Sequence, residues 1–325
     1  MLLRTDMWLH KVYEMTSSEL EDLSDEIILK ILSNVDKKDL IQCSQVSKRF
    51  RNISYDQSLW LKVDLSNQSM SAGFLNLVLS NGCKNLCLSE AKIEGTLSIK
   101  KMIALEYLDL SWTKINKEVL ETLFASCFSL QELSMGSLTL SSKMISSICY
   151  QNGKSLRLLD FRYSWGLNPN LIQLIFENCT ELNEVNLDKV PCLSKNSMDI
   201  LVNNLTPKVE KLSLMWVHSV HDEHVTTLVQ RCNKLLELNL QGTSITNTSI
   251  NNIILHQKFN MEALNVSGCF KITFEKFFEL KSMPRLRRLT CLGLRHGKER
   301  EILKKQLPNV IFPPPIKFNP TNVTI

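Results

Sequence analysis

The hydrophobic positions of this chain repeat a single pattern, L-x-x-L-x-L, at an almost constant interval. The clearest copy places Leu235, Leu238 and Leu240 in the run LLELNL. The final apolar residue of successive copies falls 25–27 residues after the previous one, at Leu110, Met135, Phe161, Leu187, Leu214, Leu240, Val266 and Cys291. Eight copies at this regularity predict one structural unit repeated along most of the chain.

Each unit predicts a short strand, a turn and an outer helix. Alternation within L-x-x-L-x-L turns one face of the strand inward, and a single unit cannot bury that face unless neighbours stack on it. A period of this length is typical of leucine-rich repeats. We therefore expect an α/β horseshoe over residues 61–312, with about ten units, parallel strands on the concave face and helices outside. Such a broad surface favours recognition of another macromolecule.

Residues 19–60 follow a different pattern, which predicts three short helices. Ile27, Ile28, Ile31 and Leu32 have helical spacing after an acidic start, and Leu59-Trp60 closes the segment. About 40 residues are too few for an independent core, so this segment must pack on the repeats or on a partner. Residues 1–18 and 313–325 are expected to be a flexible leader and a C-terminal tail.

The helical segment resembles an F-box. The motifs that carry the resemblance are Leu23-Ser24-Asp25-Glu26-Ile27, Ile31-Leu32-Ser33, Asp39-Leu40, Val46-Ser47-Lys48-Arg49-Phe50 and Leu59-Trp60. Ser24 stands where the family usually has proline. The resemblance implies docking on the adaptor of an SCF ubiquitin ligase, and through it on a cullin, by Leu23, Ser24, Glu26, Ile27, Ile28, Ile31, Leu32, Leu40, Val46, Phe50, Leu59 and Trp60.

An F-box followed directly by repeats is similar to the F-box/leucine-rich-repeat class of substrate receptors. This resemblance implies a non-catalytic subunit that holds a protein target for ubiquitination and proteasomal degradation, in the nucleus and cytoplasm. A phosphorylated cell-cycle regulator, read with a Cks-type accessory subunit, is the finer expectation. The alternative is a repeat scaffold or inhibitor that acts outside any ligase.

The candidate target-binding residues lie between or just after the buried leucines, where strand alternation directs side chains to the concave side. Aromatic residues dominate interface hot spots, which favours the tryptophans and the tyrosine; packing on a neighbouring repeat is the competing interpretation. The candidates are Trp112, Asp160, Arg162, Tyr163, Asp188, Trp216, Gln241, Phe270 and Arg288.

The distribution of charge bears on the class of partner, and the cysteine content bears on the cellular compartment. The net charge is only +5, but nine basic and two acidic residues fall within positions 281–305. This basic C-terminal cluster would attract an acidic or phosphorylated partner or simply form a solvated cap. No aromatic platform for nucleic acid accompanies it.

The 10 cysteines are scattered along the chain, and no signal peptide or membrane span is recognisable, so we expect buried thiols in a reducing compartment.

Three histidines, His218, His221 and His224, have a spacing that resembles a metal site. They cross a predicted strand–loop–helix junction, however, and no further ligand set completes the site. We therefore expect neither a metal nor a cofactor, and no catalytic residue.

Overall fold

A computed structural model describes residues 22–191, 193–291 and 297–312, without the side chains of 297 and 298. The predicted leader and tail therefore lie outside the described residues. No helix among the described residues is both long and apolar enough to cross a membrane.

The N-terminal unit contains three short helices and a 3-10 turn. They are α1 (Asp25–Leu32), α2 (Lys37–Val46), α3 (Lys48–Ser54) and the turn Gln57–Leu59. The Ser47 hydroxyl caps α3 by accepting the Phe50 N–H at 3.1 Å, and the Asp56 carboxylate caps the 3-10 turn by accepting the Ser58 N–H at 2.9 Å. These caps satisfy amides that have no partner within the helix.

Ten of the twelve strands within the described residues form one parallel sheet in the order β1-β3-β5-β6-β7-β8-β9-β10-β11-β12, while β2 pairs with β4. Each strand has three residues. The strands are β1 (Lys62–Asp64), β2 (Ser69–Ser71), β3 (Asn85–Cys87), β4 (Lys92–Glu94), β5 (Tyr107–Asp109), β6 (Glu132–Ser134), β7 (Leu158–Asp160), β8 (Glu184–Asn186), β9 (Lys211–Ser213), β10 (Glu237–Asn239), β11 (Ala263–Asn265) and β12 (Arg288–Thr290).

The core is a stack of identical positions. The central residue of every sheet strand is buried, and the register aligns these residues, as with Leu86, Leu108 and Leu133. Each of these leucines thus lies between the equivalent apolar residues of the repeats on either side. Burying such a side chain stabilises the fold by about 1.5–3 kcal/mol, which only stacking provides.

Helices cover the outer side of the sheet, and neighbouring helices pack on one another. They are α4 (Ala72–Ser80), α5 (Lys117–Ser126), α6 (Ser142–Asn152), α7 (Pro169–Asn178), α8 (Lys195–Asn204), α9 (Asp222–Arg231), α10 (Asn247–Gln257), a 3-10 helix (Phe274–Ser282) and α11 (Gly297–Gln306). The predicted α/β architecture, three helices followed by a repeat solenoid, is confirmed.

Trp60 ends the N-terminal helical unit, directly before β1. Its indole is fully buried, and its Nε1–H donates to the Ser54 carbonyl at 2.8 Å. Beside it, the Gln57 amide lies against Gly82, where an added Cβ would come within 2.8 Å of Nε2. Lys38 Nζ donates to the Ser69 carbonyl at 3.2 Å. The helical unit therefore packs on the first repeats as their cap.

Candidate functional site

The predicted adaptor-binding residues divide into a buried and an exposed set. Five of them have side chains enclosed within the chain itself: Ile28, Leu32, Leu40, Leu59 and Trp60. Adaptor contact by these five stays a prediction, and what the structure shows is their role within the chain. They hold the three helices together and fix them to the repeats, because helical spacing places some apolar residues on the inner face.

The other predicted residues remain accessible. Ile27 is 49% exposed and Val46 is 72% exposed; Ser24 and Glu26 are also exposed, and Leu23, Ile31 and Phe50 are half-buried. Single exposed aliphatic residues are ordinary, whereas two that share one end of a small helical unit form a candidate docking surface.

An ion pair brings the ends of the three helices together. Arg49, three residues after Val46, donates from Nε to Asp25 Oδ1 at 2.7 Å; Asp25 lies two residues before Ile27. The Arg49 guanidinium also donates to the Leu23 carbonyl. The start of α1 and the junction of α2 with α3 therefore share one end of the unit, where Ile27 and Val46 are exposed.

The hollow of the solenoid is polar. A cavity of about 300 Å³ is lined by residues of β8 to β12, and its charges are largely paired within the chain. Lys211 Nζ lies 3.2 Å from the Glu184 carboxylate, and the Arg288 guanidinium lies 2.9 Å from the Glu237 carboxylate. Arg288, predicted to contact a target, thus already has a partner across the sheet.

Polar residues at the strand ends stabilise the turns that follow. The side-chain oxygens of Asp109 and Asn186 accept the N–H two residues ahead at 2.8 and 2.9 Å. Asp160 accepts the Arg162 N–H in the same way, at 2.9 Å. Such turns are typical of Asp and Asn. These residues build the sheet edge, whether or not they also meet a target.

Asp160 and Asp188, both predicted to contact a target, are buried. The Asp160 carboxylate is paired with the Arg162 guanidinium. Asp188 Oδ1 accepts the Ser213 hydroxyl and the Met215 N–H, and burial raises the pKa of its carboxyl. The Asp160 oxygens are thus bonded within their own repeat and Asp188 Oδ1 is bonded to the next one, and contact of these two aspartates with a target stays a prediction.

A row of left-handed residues follows the sheet. In β1, β3 and β5 to β11, the residue three positions beyond the strand end has a positive φ, for example 61° at Trp112, 59° at Tyr163 and 52° at Lys189. This row, the turn row, comprises Asn67, Glu90, Trp112, Ser137, Tyr163, Lys189, Trp216, Gly242 and Gly268. Glycine and asparagine suit such backbone, whereas a bulky side chain there costs on the order of 1 kcal/mol or more.

Large side chains of the turn row contact one another. The ring centroids of Trp112 and Tyr163 are 5.2 Å apart at 54°, so the indole reaches past Ser137. Lys189 Nζ lies 5.0 Å from the Tyr163 ring centroid. Trp216 packs on Gly242, where an added Cβ would come within 2.5 Å of the indole. The predicted aromatic anchors therefore lie in the turns at the sheet edge, beyond the strands that line the hollow.

Two exposed aromatic residues lie in a parallel row, five positions beyond a strand end. Phe270, a predicted candidate, is 81% exposed, and Trp165 is 57% exposed. Trp165 was not among the predicted residues, although its equivalence to Phe270 could be read from the repeat. Gln241 is half-buried, and its Oε1 accepts the Asn265 amide at 3.1 Å.

The basic C-terminal cluster is partly neutralised. Arg285 lies 3.0 Å from the Glu262 carboxylate, and Lys304 lies 2.8 Å from that of Glu301; Arg300 donates to the Phe312 carbonyl at 2.6 Å. Arg295 and the Lys298 side chain lie outside the described residues. The paired residues fit a solvated end cap.

The histidines and cysteines have structural surroundings. His224 is buried, and its Nδ1 accepts the His221 N–H at 3.0 Å; no metal-binding group of three side chains occurs among the residues that the structure describes. Burial raises the pKa of the Cys127 and Cys232 thiols to about 12. Such protonated thiols pack as small apolar groups.

Two family models match the chain. One, described as the SKP2 LRR domain, covers residues 73–314, which is most of the chain. The chain belongs to the SKP2 LRR domain family. A second model, described as F-box-like, covers residues 20–66. The resemblance to F-box/leucine-rich-repeat receptors is confirmed, and within that class the chain is similar to S-phase kinase-associated protein 2. These two domains support an SCF-type substrate receptor in general, an architecture typical of non-catalytic subunits.

Curated relatives of this SKP2-type chain are distant. Lysine-specific demethylase 2A of Xenopus tropicalis is 22% identical over 83% of the chain and 23% of its own length. Lysine-specific demethylase 2B of Mus musculus is 21% identical over 62% of the chain and 15% of its own length. The chain thus spans less than a quarter of either relative.

Solved structures with similarity to the SKP2-type chain include three at low scores. The repeat protein LegL7 of Legionella pneumophila has a TM-score of 0.45 at 15% identity, over 77% of this chain and 81% of its own. The Caenorhabditis elegans tropomodulin C-terminal domain has 0.36 at 14%, over 44% and 93%. The Rad7–Elc1 complex in yeast has 0.30 at 13%, over 94% and 91%.

Proposed function

We propose that this chain is the substrate-binding subunit of an SCF ubiquitin ligase in the nucleus and cytoplasm. The exposed face of its F-box binds the adaptor and, through it, a cullin. The repeats hold a protein target. Ubiquitin transfer then depends on proximity, because a rigid receptor raises the effective concentration of the target near the conjugating enzyme.

One observation carries this proposal. The F-box leaves Ile27 and Val46 exposed, although it packs on the first repeats through Gln57 and Lys38. If the helices served only to cap the repeats, exposed aliphatic residues at their free end would have no role.

An adaptor pull-down tests the docking face. We expect Ile27→Asp combined with Val46→Asp to abolish adaptor binding with an unchanged circular dichroism spectrum, because both side chains are exposed and their charges would meet the apolar adaptor surface. The matched control is Leu255→Asp, which changes a residue of α10 that is 72% exposed. Full adaptor binding by the double variant would refute the proposed role.

The finer proposal is that the target is a phosphorylated cell-cycle regulator, held with a Cks-type accessory subunit. Its support is the membership of the SKP2 LRR domain family. Affinity purification with the proteasome blocked, before and after phosphatase treatment, tests it: the target should be lost after treatment. The alternative, a scaffold outside any ligase, predicts that neither adaptor nor cullin is recovered.

A further inference from the structure

The side chains of Trp112, Tyr163 and Lys189 form a continuous surface along the turn row. We propose that this surface, the aromatic–lysine platform, binds an extended segment of the target in which an apolar side chain lies close to an anionic one. This inference rests on the proposed function, since it specifies which side chains of the target the repeats bind.

The left-handed backbone at these positions does not require bulky side chains, and such side chains are strained there. The turn needs a left-handed residue whose N–H bonds to the next repeat: Trp112 N–H donates to the Gly136 carbonyl at 2.8 Å, and Tyr163 N–H donates to the Asp188 carbonyl at 2.8 Å. Any residue provides that N–H. Gly242 and Gly268 occupy the same position without strain, so bulky residues there point to a role beyond the fold.

The apolar part of the platform is open to solvent. Trp112 is 47% exposed, and it leans over the small Ser137 to meet Tyr163, with ring centroids 5.2 Å apart. The two rings thus support each other across two repeats and still leave about half of the Trp112 side chain accessible. Tryptophan and tyrosine held in this way are typical interface anchors, because little further entropy is lost on binding.

The charged part of the platform lacks a counter-ion. Lys189 Nζ donates to the Tyr163 hydroxyl at 2.8 Å and lies over its ring. In the described ranges, no carboxylate lies within ion-pair distance of Lys189. The nearby Asp188 and Asp160 carboxylates are buried and bonded to Met215 and Arg162. A fixed ammonium without an acidic partner favours a carboxylate or phosphate from a bound segment.

The dimensions limit the segment. From the Trp112 ring, 5.2 Å leads to the Tyr163 ring and another 5.0 Å to Lys189 Nζ, so the platform is at most about 10 Å long. An extended chain advances about 3.3 Å per residue. The apolar and anionic side chains of the segment should therefore be one to three residues apart.

Oriented peptide libraries test the platform. The immobilised probes are random heptapeptides with one fixed central residue: Glu, phosphoserine, Gln or Lys. We expect the full wild-type chain to retain the Glu or phosphoserine library at least tenfold above the Gln library, with aromatic or leucine residues enriched within three positions. Stronger retention of one of the two anionic libraries identifies the anion. Equal retention of the Gln library, or no retention above background, would overturn the proposal.

Variants assign the preference to the platform. Lys189→Glu should transfer the preference to the Lys library, and Trp112→Asn should remove the apolar selection while stability stays equal or rises, since asparagine suits the left-handed turn. Glu90→Asn, which also places asparagine in the turn row but three units away from Tyr163, is the matched control and should keep the wild-type selection. An unchanged charge preference in Lys189→Glu, or a destabilised Trp112→Asn, would contradict the proposal. Adaptor binding, measured on the same samples, reports separately on the receptor role.

Discussion

The indole ring of Trp216 lies against the backbone of Gly242 in the following repeat. A Cβ built on Gly242 would come within 2.5 Å of Trp216 Cε3, and the glycine has a φ of 68°. The absence of a side chain at Gly242 thus allows both the left-handed turn and the position of the aromatic ring.

Gly242→Ala should therefore destabilise the protein. Backbone strain and overpacking together predict a loss of about 2–3 kcal/mol in the free energy of unfolding, measured by urea denaturation. Gly73→Ala is the matched control, because its Cβ would meet only Ser71 Oγ at 3.6 Å within α4, where alanine is favoured by about 0.5–1 kcal/mol. Equal stability of Gly242→Ala and wild type would contradict the packing described.

His224 should make stability depend on pH. Burial lowers its pKa despite the nearby Asp199, whose Oδ1 lies 3.2 Å from Nε2. The folded protein therefore binds a proton at His224 less readily than the unfolded chain does. The contribution of neutral His224 to stability is complete above the ordinary histidine pKa of about 6.5, and it is lost as the pH falls through the lowered pKa of the folded state. Denaturation between pH 7.5 and 5 should show the decline, and His224→Asn should reduce it. An unchanged slope in the variant would exclude His224 as the cause.

Asp222 should be the most sensitive polar residue between α9 and α10. Its carboxylate accepts the Thr246 N–H at 2.9 Å, the Thr246 hydroxyl at 2.7 Å and the Ser249 N–H at 3.1 Å. Burial opposes its ionisation, yet these hydrogen bonds leave its pKa lowered. We expect Asp222→Ala to cost about 2–3 kcal/mol of stability by thermal or urea unfolding.

Asp222→Asn distinguishes the contributions of the two oxygens of that carboxylate. It keeps the oxygen that accepts the two N–H groups, so a smaller loss of about 1 kcal/mol is expected. A loss as large as that of Asp222→Ala would show that the negative charge contributes more to stability than the hydrogen bonds to the two N–H groups.

Trp60→Phe should loosen the end of the F-box, the junction segment that directly precedes β1. The change removes the Nε1–H bond to the Ser54 carbonyl and leaves that buried acceptor without its partner, at a cost of about 1–3 kcal/mol. Limited proteolysis should then cut near residue 60 faster than in wild type. The same rate of cleavage in both proteins would mean that packing alone holds the junction.

The sequence by itself determined the repeat and the F-box. Leu235, Leu238 and Leu240 show the reason: residues close in sequence settle a short strand with one buried face, and the period then requires stacking. In the same way, the local motif around Val46 to Phe50 was sufficient to identify the helical unit.

Only the tertiary structure decided which candidate residues are available to a partner. Asp160 and Asp188 have the same local pattern as exposed concave residues, yet contacts within and between repeats bury them. The contact between Trp112 and Tyr163 joins residues two repeats apart, and depends on the small Ser137 between them. No local pattern contains such contacts, because they are set by how successive coils pack on one another.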